Sequence, residues 1–181
     1  MRFEAKDQRS EAEDQEDLRV RLAIWPRDLA DLNAHNKYPE FFSCTPFEST
    51  KPSPDKIQSV DLIEGQWGKD GSVYCWNFLL DGKTANNKVE VGIDNKSKST
   101  TLKTIQGTLK KSFKSLIINM KITPTTEQGS LVHWTLDYEK LNANVEDPKS
   151  ILDMAIASCK DAGVYLNNKA KTQSSRLLQT N

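Results

Sequence analysis

In a series of short runs between Ile57 and Glu139 apolar side chains recur at every second position, and then the period changes. Val60 and Leu62 share one face of the run Ile57–Glu64, with Asp61 on the other. Tyr74, Trp76, Phe78 and Leu80 alternate through Val73–Leu80, and the run Lys88–Ile93 alternates as cleanly. Thr100–Ile105 is a weaker strand closed by Gly107. In Lys114–Ile122 one face carries Leu116, Ile118, Met120 and Ile122, and in Leu131–Glu139 Val132, Trp134, Leu136 and Tyr138 share a side. Period two with β-branched and aromatic residues predicts strands. Asp81-Gly82-Lys83, Asp94-Asn95-Lys96 and Pro124–Gly129 supply turns between them, so these strands form an antiparallel meander.

After Asn144 the spacing becomes helical. Asp147-Pro148 predicts an N-cap followed by proline in the first turn. Ile151, Met154, Ala155, Ser158, Cys159, Ala162, Tyr165 and Leu166 fall on one side of a helix over about Pro148–Asn168. Asp153, Lys160, Asp161 and Asn168 fall on the other. A sheet with one apolar face and a helix with one apolar stripe must close on each other, which makes the fold class α+β.

The front of the chain reads differently. Residues 1–17 are acidic and hold almost nothing apolar after Phe3, so they are expected to be a disordered arm. Leu18–Trp25 alternates as a first strand and stops at Pro26. Residues 27–52 carry Pro39, Pro46 and Pro52 and allow only short helices. The domain is expected to span 18–168, with a flexible tail over 169–181.

Between the strands at 57–64 and 73–80 lies Glu64-Gly65-Gln66-Trp67-Gly68-Lys69-Asp70-Gly71, whose evenly spaced glycines suggest a phosphate cradle. A phosphate loop opens a helix, so that its N–H groups and the helix dipole face the anion. Gly65, Gly68 and Gly71 lead instead into a strand and are expected to shape a hairpin connection through positive φ angles.

Composition narrows the class. The 25 basic and 25 acidic residues cancel, which removes the electrostatic footprint of a nucleic-acid or anionic-membrane binder. No apolar run reaches the length of a membrane span, and the N-terminus lacks a signal pattern. Cys44, Cys75 and Cys159 are odd in number and have no metal-type spacing, which suits reduced thiols in a cytoplasmic protein. Asn95-Lys96-Ser97 matches a glycosylation sequon but carries little weight without a secretion signal. No nucleophile motif or metal-ligand spacing is present, and His35 and His133 are far apart; the expectation is no enzyme, no metal and no cofactor.

Pattern alone leaves two readings of the interior. The small residues at the centre of the helix stripe either interlock with the aromatics of the sheet in a solid core or leave room for a pocket lined by aromatics and a few polar groups.

Several motifs taken together resemble one family: Ser53-Pro54-Asp55-Lys56-Ile57, Glu64-Gly65 with Gly68 and Gly71, Cys75-Trp76-Asn77, Gly129-Ser130-Leu131-Val132-His133-Trp134, and Tyr138-Glu139-Lys140-Leu141-Asn142. From about Phe41 to Asn168 the chain is similar to the plant major latex proteins of the Bet v I (pathogenesis-related class 10) superfamily. The resemblance implies a helix-grip fold, in which a curved antiparallel sheet of six to seven strands wraps a long C-terminal helix, with two short helices in support. It further implies a cavity for an apolar small molecule such as a sterol, lipid, hormone or phenolic, and a role in defence and stress responses in the cytoplasm. Carried over by position, the ligand-facing residues are Tyr74, Trp76, Phe78, Thr100, Leu102, Thr104, Ile118, Met120, Trp134, Leu136 and Tyr138 from the sheet. Met154, Ala155, Ser158, Ala162 and Tyr165 join them from the helix. Leu80, Leu116 and Val132 share the inward face and are expected to be core.

The chain departs from the family pattern at its front, where the acidic arm and Leu18–Trp25 stand in place of a recognisable first strand. The positions usually invoked for ribonuclease activity in pathogenesis-related members hold Cys75, Lys110 and Gly163, which do not form an acid–base set. The gate sequence of the hormone-receptor branch is absent near Asp81-Gly82-Lys83. Carriage of an apolar small molecule is therefore the leading expectation, with ligand-dependent protein interaction as the alternative and catalysis on a bound metabolite behind it.

Overall fold

A computed structural model describes residues 3–5, 16–24, 46–124 and 130–178. Its strands are β1 (Phe3–Ala5), β2 (Glu16–Ile24), β3 (Ile57–Glu64), β4 (Val73–Leu80), β5 (Lys83–Asp94), β6 (Ser99–Gly107), β7 (Phe113–Pro124) and β8 (Ser130–Lys140). They form one eight-stranded sheet in the order β1-β2-β8-β7-β6-β5-β4-β3. Every neighbouring pair is antiparallel. Strands β3 to β8 are the meander that the alternation predicts. Two short 3₁₀ turns accompany it, Pro46–Thr50 before β3 and Thr108–Lys111 between β6 and β7.

At the front of the chain the alternating run expected as a first strand is strand β2, and part of the expected acidic arm is strand as well. Strand β2 replaces the missing first strand and pairs along its whole length with β8, Leu22 opposite Val132 and Val20 opposite Trp134. Phe3–Ala5 then pairs with β2, which makes eight strands rather than six or seven. Residues 3–5 and 16–17 of the expected disordered arm are thus strand, because β2 offers an open edge whose N–H and C=O groups accept a partner. The short helices expected within 27–52 fall mostly outside the described residues, as do Trp25 and Cys44.

The cross-strand register fixes which face turns inward. Tyr74 lies opposite Val89, Trp76 opposite Asn87 and Phe78 opposite Ala85. Thr100 faces Met120 and Leu102 faces Ile118; Met120 faces Trp134 and Ile118 faces Leu136. Because the side-chain period is two, one residue of slip would turn this whole set to solvent.

The C-terminal helix runs from Lys149 to Leu178, about 45 Å at the usual rise. It begins one residue after Pro148, which is buried. The Asp147 carboxylate pairs with Lys140 Nζ at 2.6 Å, tying the helix start to the end of β8. The helix also covers residues 169–178, which the sequence pattern assigns to a flexible tail. That stretch continues with lysine, alanine, glutamine, arginine and leucine, all good helix formers.

Ile151, Leu152, Cys159 and Ala162 are buried against Phe78, Phe113, Leu116, Met120, Ile122, Val132, Trp134, Leu136 and Tyr138 in the larger core cluster. A second cluster joins Ile57, Val60, Tyr74, Val89 and Val91 at the β3–β5 end of the sheet.

Candidate functional site

A cavity of about 100 Å³ lies between sheet and helix, its wall drawn from both clusters. The sheet contributes Ile57, Trp76, Phe78, Asn87, Val89, Thr100, Leu102, Ile118, Met120 and Trp134. Leu109 enters from the second 3₁₀ turn, and Ile151, Met154, Ala155 and Ser158 from the helix. Both readings of the interior therefore hold, at different places. Cys159 and Ala162 have no exposed surface and pack solidly, whereas Ala155 and Ser158 face open space.

Of the residues expected to face a ligand, the structure brings together Trp76, Phe78, Thr100, Leu102, Ile118, Met120 and Trp134 with Met154, Ala155 and Ser158. The other six lie elsewhere. Tyr74 is fully buried but belongs to the second cluster, and its hydroxyl accepts the Gly68 N–H at 2.8 Å. Thr104 is buried beyond the wall, its hydroxyl accepting from Asn87 Nδ2 at 2.9 Å. Leu136 and Tyr138 are packed into the filled end of the core, where Tyr138 meets Phe113 edge to face at 5.8 Å. Ala162 is sealed there as well, and Tyr165 packs on its margin. Leu116 and Val132 are buried core as expected, and Leu80 packs half-buried against them.

Five wall residues escape the sequence reading. Asn87 and Val89 lie in phase with Val91 on β5, so the alternation of that strand held the signal. Ile57 opens its strand, Ile151 stands in the first helical turn and Leu109 sits in a 3₁₀ turn, where no period of two exists.

The glycine loop closes the β3–β4 end without facing the cavity. Gly65, Gly68 and Gly71 have φ of 83°, 71° and 77°, as a tight connection needs. Its polar groups are occupied internally. Ser72 Oγ donates to Gln66 O at 2.7 Å and accepts from Gln66 N, while Gly71 N donates to Val91 O at 2.8 Å. Asp70 Oδ1 accepts from Ile93 N, and Trp67 rests on the Tyr74 ring at 4.8 Å between centroids. An anion finds few free N–H donors here, which favours the structural reading of the three glycines.

Beside the cavity a polar latch ties the loop before β3 to the helix. Ser53 Oγ and Lys56 Nζ both donate to Asp161 Oδ2 at 2.9 Å. Asp55 and then Asp161 hold the Lys56 ammonium above its ordinary pKa. Deeper in the core, burial pushes the Cys159 thiol up to about 12, partly offset by a hydrogen bond from Trp134. This thiol stays protonated and unreactive in the folded protein. Among the described residues no group of His, Cys, Asp and Glu is arranged to hold a metal ion. No helix among the described residues is long and apolar enough to cross a membrane.

The sequence over residues 33–169 matches the model of the pathogenesis-related protein Bet v 1 family. The chain belongs to the Bet v 1 family. Within that family it is similar to the major latex proteins. MLP-like protein 31 of Arabidopsis thaliana is 35% identical over 145 residues, 78% of this chain and 84% of that protein. MLP-like protein 34 of the same plant is 37% identical over 133 residues, 72% of this chain. The chain spans only 42% of the length of MLP-like protein 34. Crystal structures of major latex-like protein 151 from Panax ginseng superpose with a TM-score of 0.75 at 34% identity, covering 83% of this chain and 97% of theirs. Ara h 8.0201, at 16% identity and a TM-score of 0.65, shares the fold. The Bet v 1 family match begins at residue 33, so β1 and β2 are built from sequence outside it.

Proposed function

We propose that this Bet v 1 family member binds and carries an apolar small molecule in the cavity between sheet and helix, in the cytoplasm and in the service of plant defence or stress responses. The observation that carries the reading is the cavity itself, walled by Trp76, Phe78, Leu102, Ile118, Met120, Trp134 and Met154 in a chain otherwise able to pack solidly. Affinity comes from removing ligand surface from water against these side chains, about 25 cal/mol per Å² before the costs of association. Family membership and the likeness to major latex proteins support the same reading.

Its size sets the scale of ligand. About 100 Å³ holds a single ring or a short chain, below the ~300–1,000 Å³ of typical drug-sized sites. A sterol-sized ligand needs the helix or the wall side chains to move outward, and a compact one does not.

The test is titration of the folded protein with an apolar fluorescent probe, followed by native mass spectrometry and by competition with small phenolics and sterols. Saturable one-to-one binding that Ala155→Leu removes is the expected result. Absence of saturable binding in a protein with a cooperative unfolding transition overturns the reading.

A further inference from the structure

The cavity wall is apolar apart from a few side chains, and three of these hold buried polar atoms without a partner: Trp76 Nε1, Asn87 Oδ1 and Ser158 Oγ. Asn87 and Ser158 are 3% and 5% exposed. A buried polar group left unpaired is costly, and native proteins keep few of them. Three around one cavity call for an explanation beyond packing.

Their placement is specific. Trp76 and Asn87 stand directly opposite each other on β4 and β5, facing inward. The Asn87 amide nitrogen is already committed to Thr104 Oγ1 at 2.9 Å, which leaves its carbonyl oxygen as the unused atom. Ser158 approaches from the helix on the other side of the same cavity. The fourth candidate, Trp134, differs because its indole is engaged with Cys159.

The complement of this set is a group that both accepts and donates, as a hydroxyl does. Trp76 Nε1 can only donate, Asn87 Oδ1 can only accept, and Ser158 Oγ can do either. A ligand carbonyl or ether satisfies Trp76 but gives nothing to Asn87. A carboxylate also lacks the proton and brings an unpaired charge into an apolar site. A hydroxyl accepts from the indole and donates to the amide oxygen.

Resting on the carriage reading above, we propose that the ligand is a compact apolar molecule bearing a hydroxyl, which is received by Trp76 and Asn87 on the sheet and by Ser158 on the helix. The apolar wall holds the body of the ligand, and the three polar atoms select the hydroxylated form and set its orientation.

The test compares phenol with toluene, which have nearly the same shape and differ in a hydroxyl for a methyl. Both are titrated into the full-length ¹⁵N-labelled protein, with amide and indole N–H signals recorded. A purely apolar cavity prefers toluene, because the phenol hydroxyl gives up water for nothing. The expected result is the reverse: phenol binds about ten-fold more tightly, in keeping with one or two hydrogen bonds to buried partners, and phenol moves the Trp76 indole N–H signal further downfield than toluene does, as a new acceptor requires. In Asn87→Ala, and separately in Ser158→Ala as the milder change, the preference for phenol shrinks while toluene binding persists. Persistent toluene binding also shows that the variants are folded. Equal or stronger binding of toluene in the wild-type protein overturns the hydroxyl assignment and leaves the carriage reading standing. A phenol preference unchanged in both variants overturns the assignment to these residues. Binding of neither compound to folded protein overturns the carriage reading and this proposal with it.

Discussion

Ala155→Leu places an isobutyl group where the wall now offers a methyl beside about 100 Å³ of space. Cavities in protein cores cost about 24 cal/mol per Å³, so filling this one is worth at most about 2.4 kcal/mol. Strain from imperfect fit subtracts from that gain. Ala162→Leu makes the same chemical change two turns along the helix, at a position with no exposed surface and no part in the wall. Overpacking there costs about 1–3 kcal/mol. The two variants should therefore differ by about 3 kcal/mol although their compositions are identical. At about 2–4 °C per kcal/mol for a chain of this size, the gap in melting temperature is about 6–12 °C, with Ala155→Leu the more stable. Calorimetry or urea titration of the purified variants reads it directly. The same Ala155→Leu protein should lose the apolar probe, so stability rises as binding falls. Equal destabilisation of the two variants would mean that the space beside Ala155 is absent and that the core is solid throughout.

Other expectations follow from single positions. Gly107 has φ 121° and ψ −163°, a region that side chains rarely enter, and a Cβ there would lie 2.4 Å from Asn86 O and 2.7 Å from Asn87 Cα. Gly107→Ala should lower unfolding stability by about 2 kcal/mol or more, and urea titration checks it. Asp161→Ala strips the partner from the fully buried Ser53 hydroxyl. It should cost about 1–3 kcal/mol, whereas Asp161→Asn, which keeps an acceptor, should cost less. Cys159 should resist iodoacetamide at pH 8.5 in the folded protein and react once urea unfolds it, as peptide mapping would reveal. Its folded pKa of about 12 exceeds the ordinary 9.0. The folded state therefore keeps the proton that the unfolded state loses, and this contribution to stability is complete below pH 9 and falls away between pH 9 and 12. A Cys159→Ala variant should show a weaker decline over that window.

Much of this molecule is legible in its residues, and the limits of that legibility have physical causes. Alternation reports which face a strand turns inward, so Trp76, Phe78, Ile118, Met120 and Trp134 are readable as inward before any coordinates. It does not report where along the strand the interior is open. Tyr74, Leu136 and Tyr138 have the right phase yet lie beyond the ends of the cavity, where Trp67 and Phe113 fill the space. Asn87 escapes because a polar residue in an apolar row reads as an interruption of the pattern, though here it is part of the wall. The helix runs past Asn168 because its backbone propensity persists after its apolar stripe thins out. The pairing of β2 with β8 joins distant parts of the chain, and no local period encodes such a partner.

That pairing, together with the place of the helix, has a consequence for how the protein comes into being. Strands β4 to β8 each dock on the strand just made, so the meander can assemble by successive hairpins. Strand β2 is synthesised early but must wait for β8, and the helix follows every strand of the sheet. Until that helix leaves the ribosome, the inward apolar face of the sheet has no cover, and a pairing of such long range as β2 with β8 forms slowly. Nascent chains halted before Lys149 should therefore be the species that chaperones hold and that aggregates recruit.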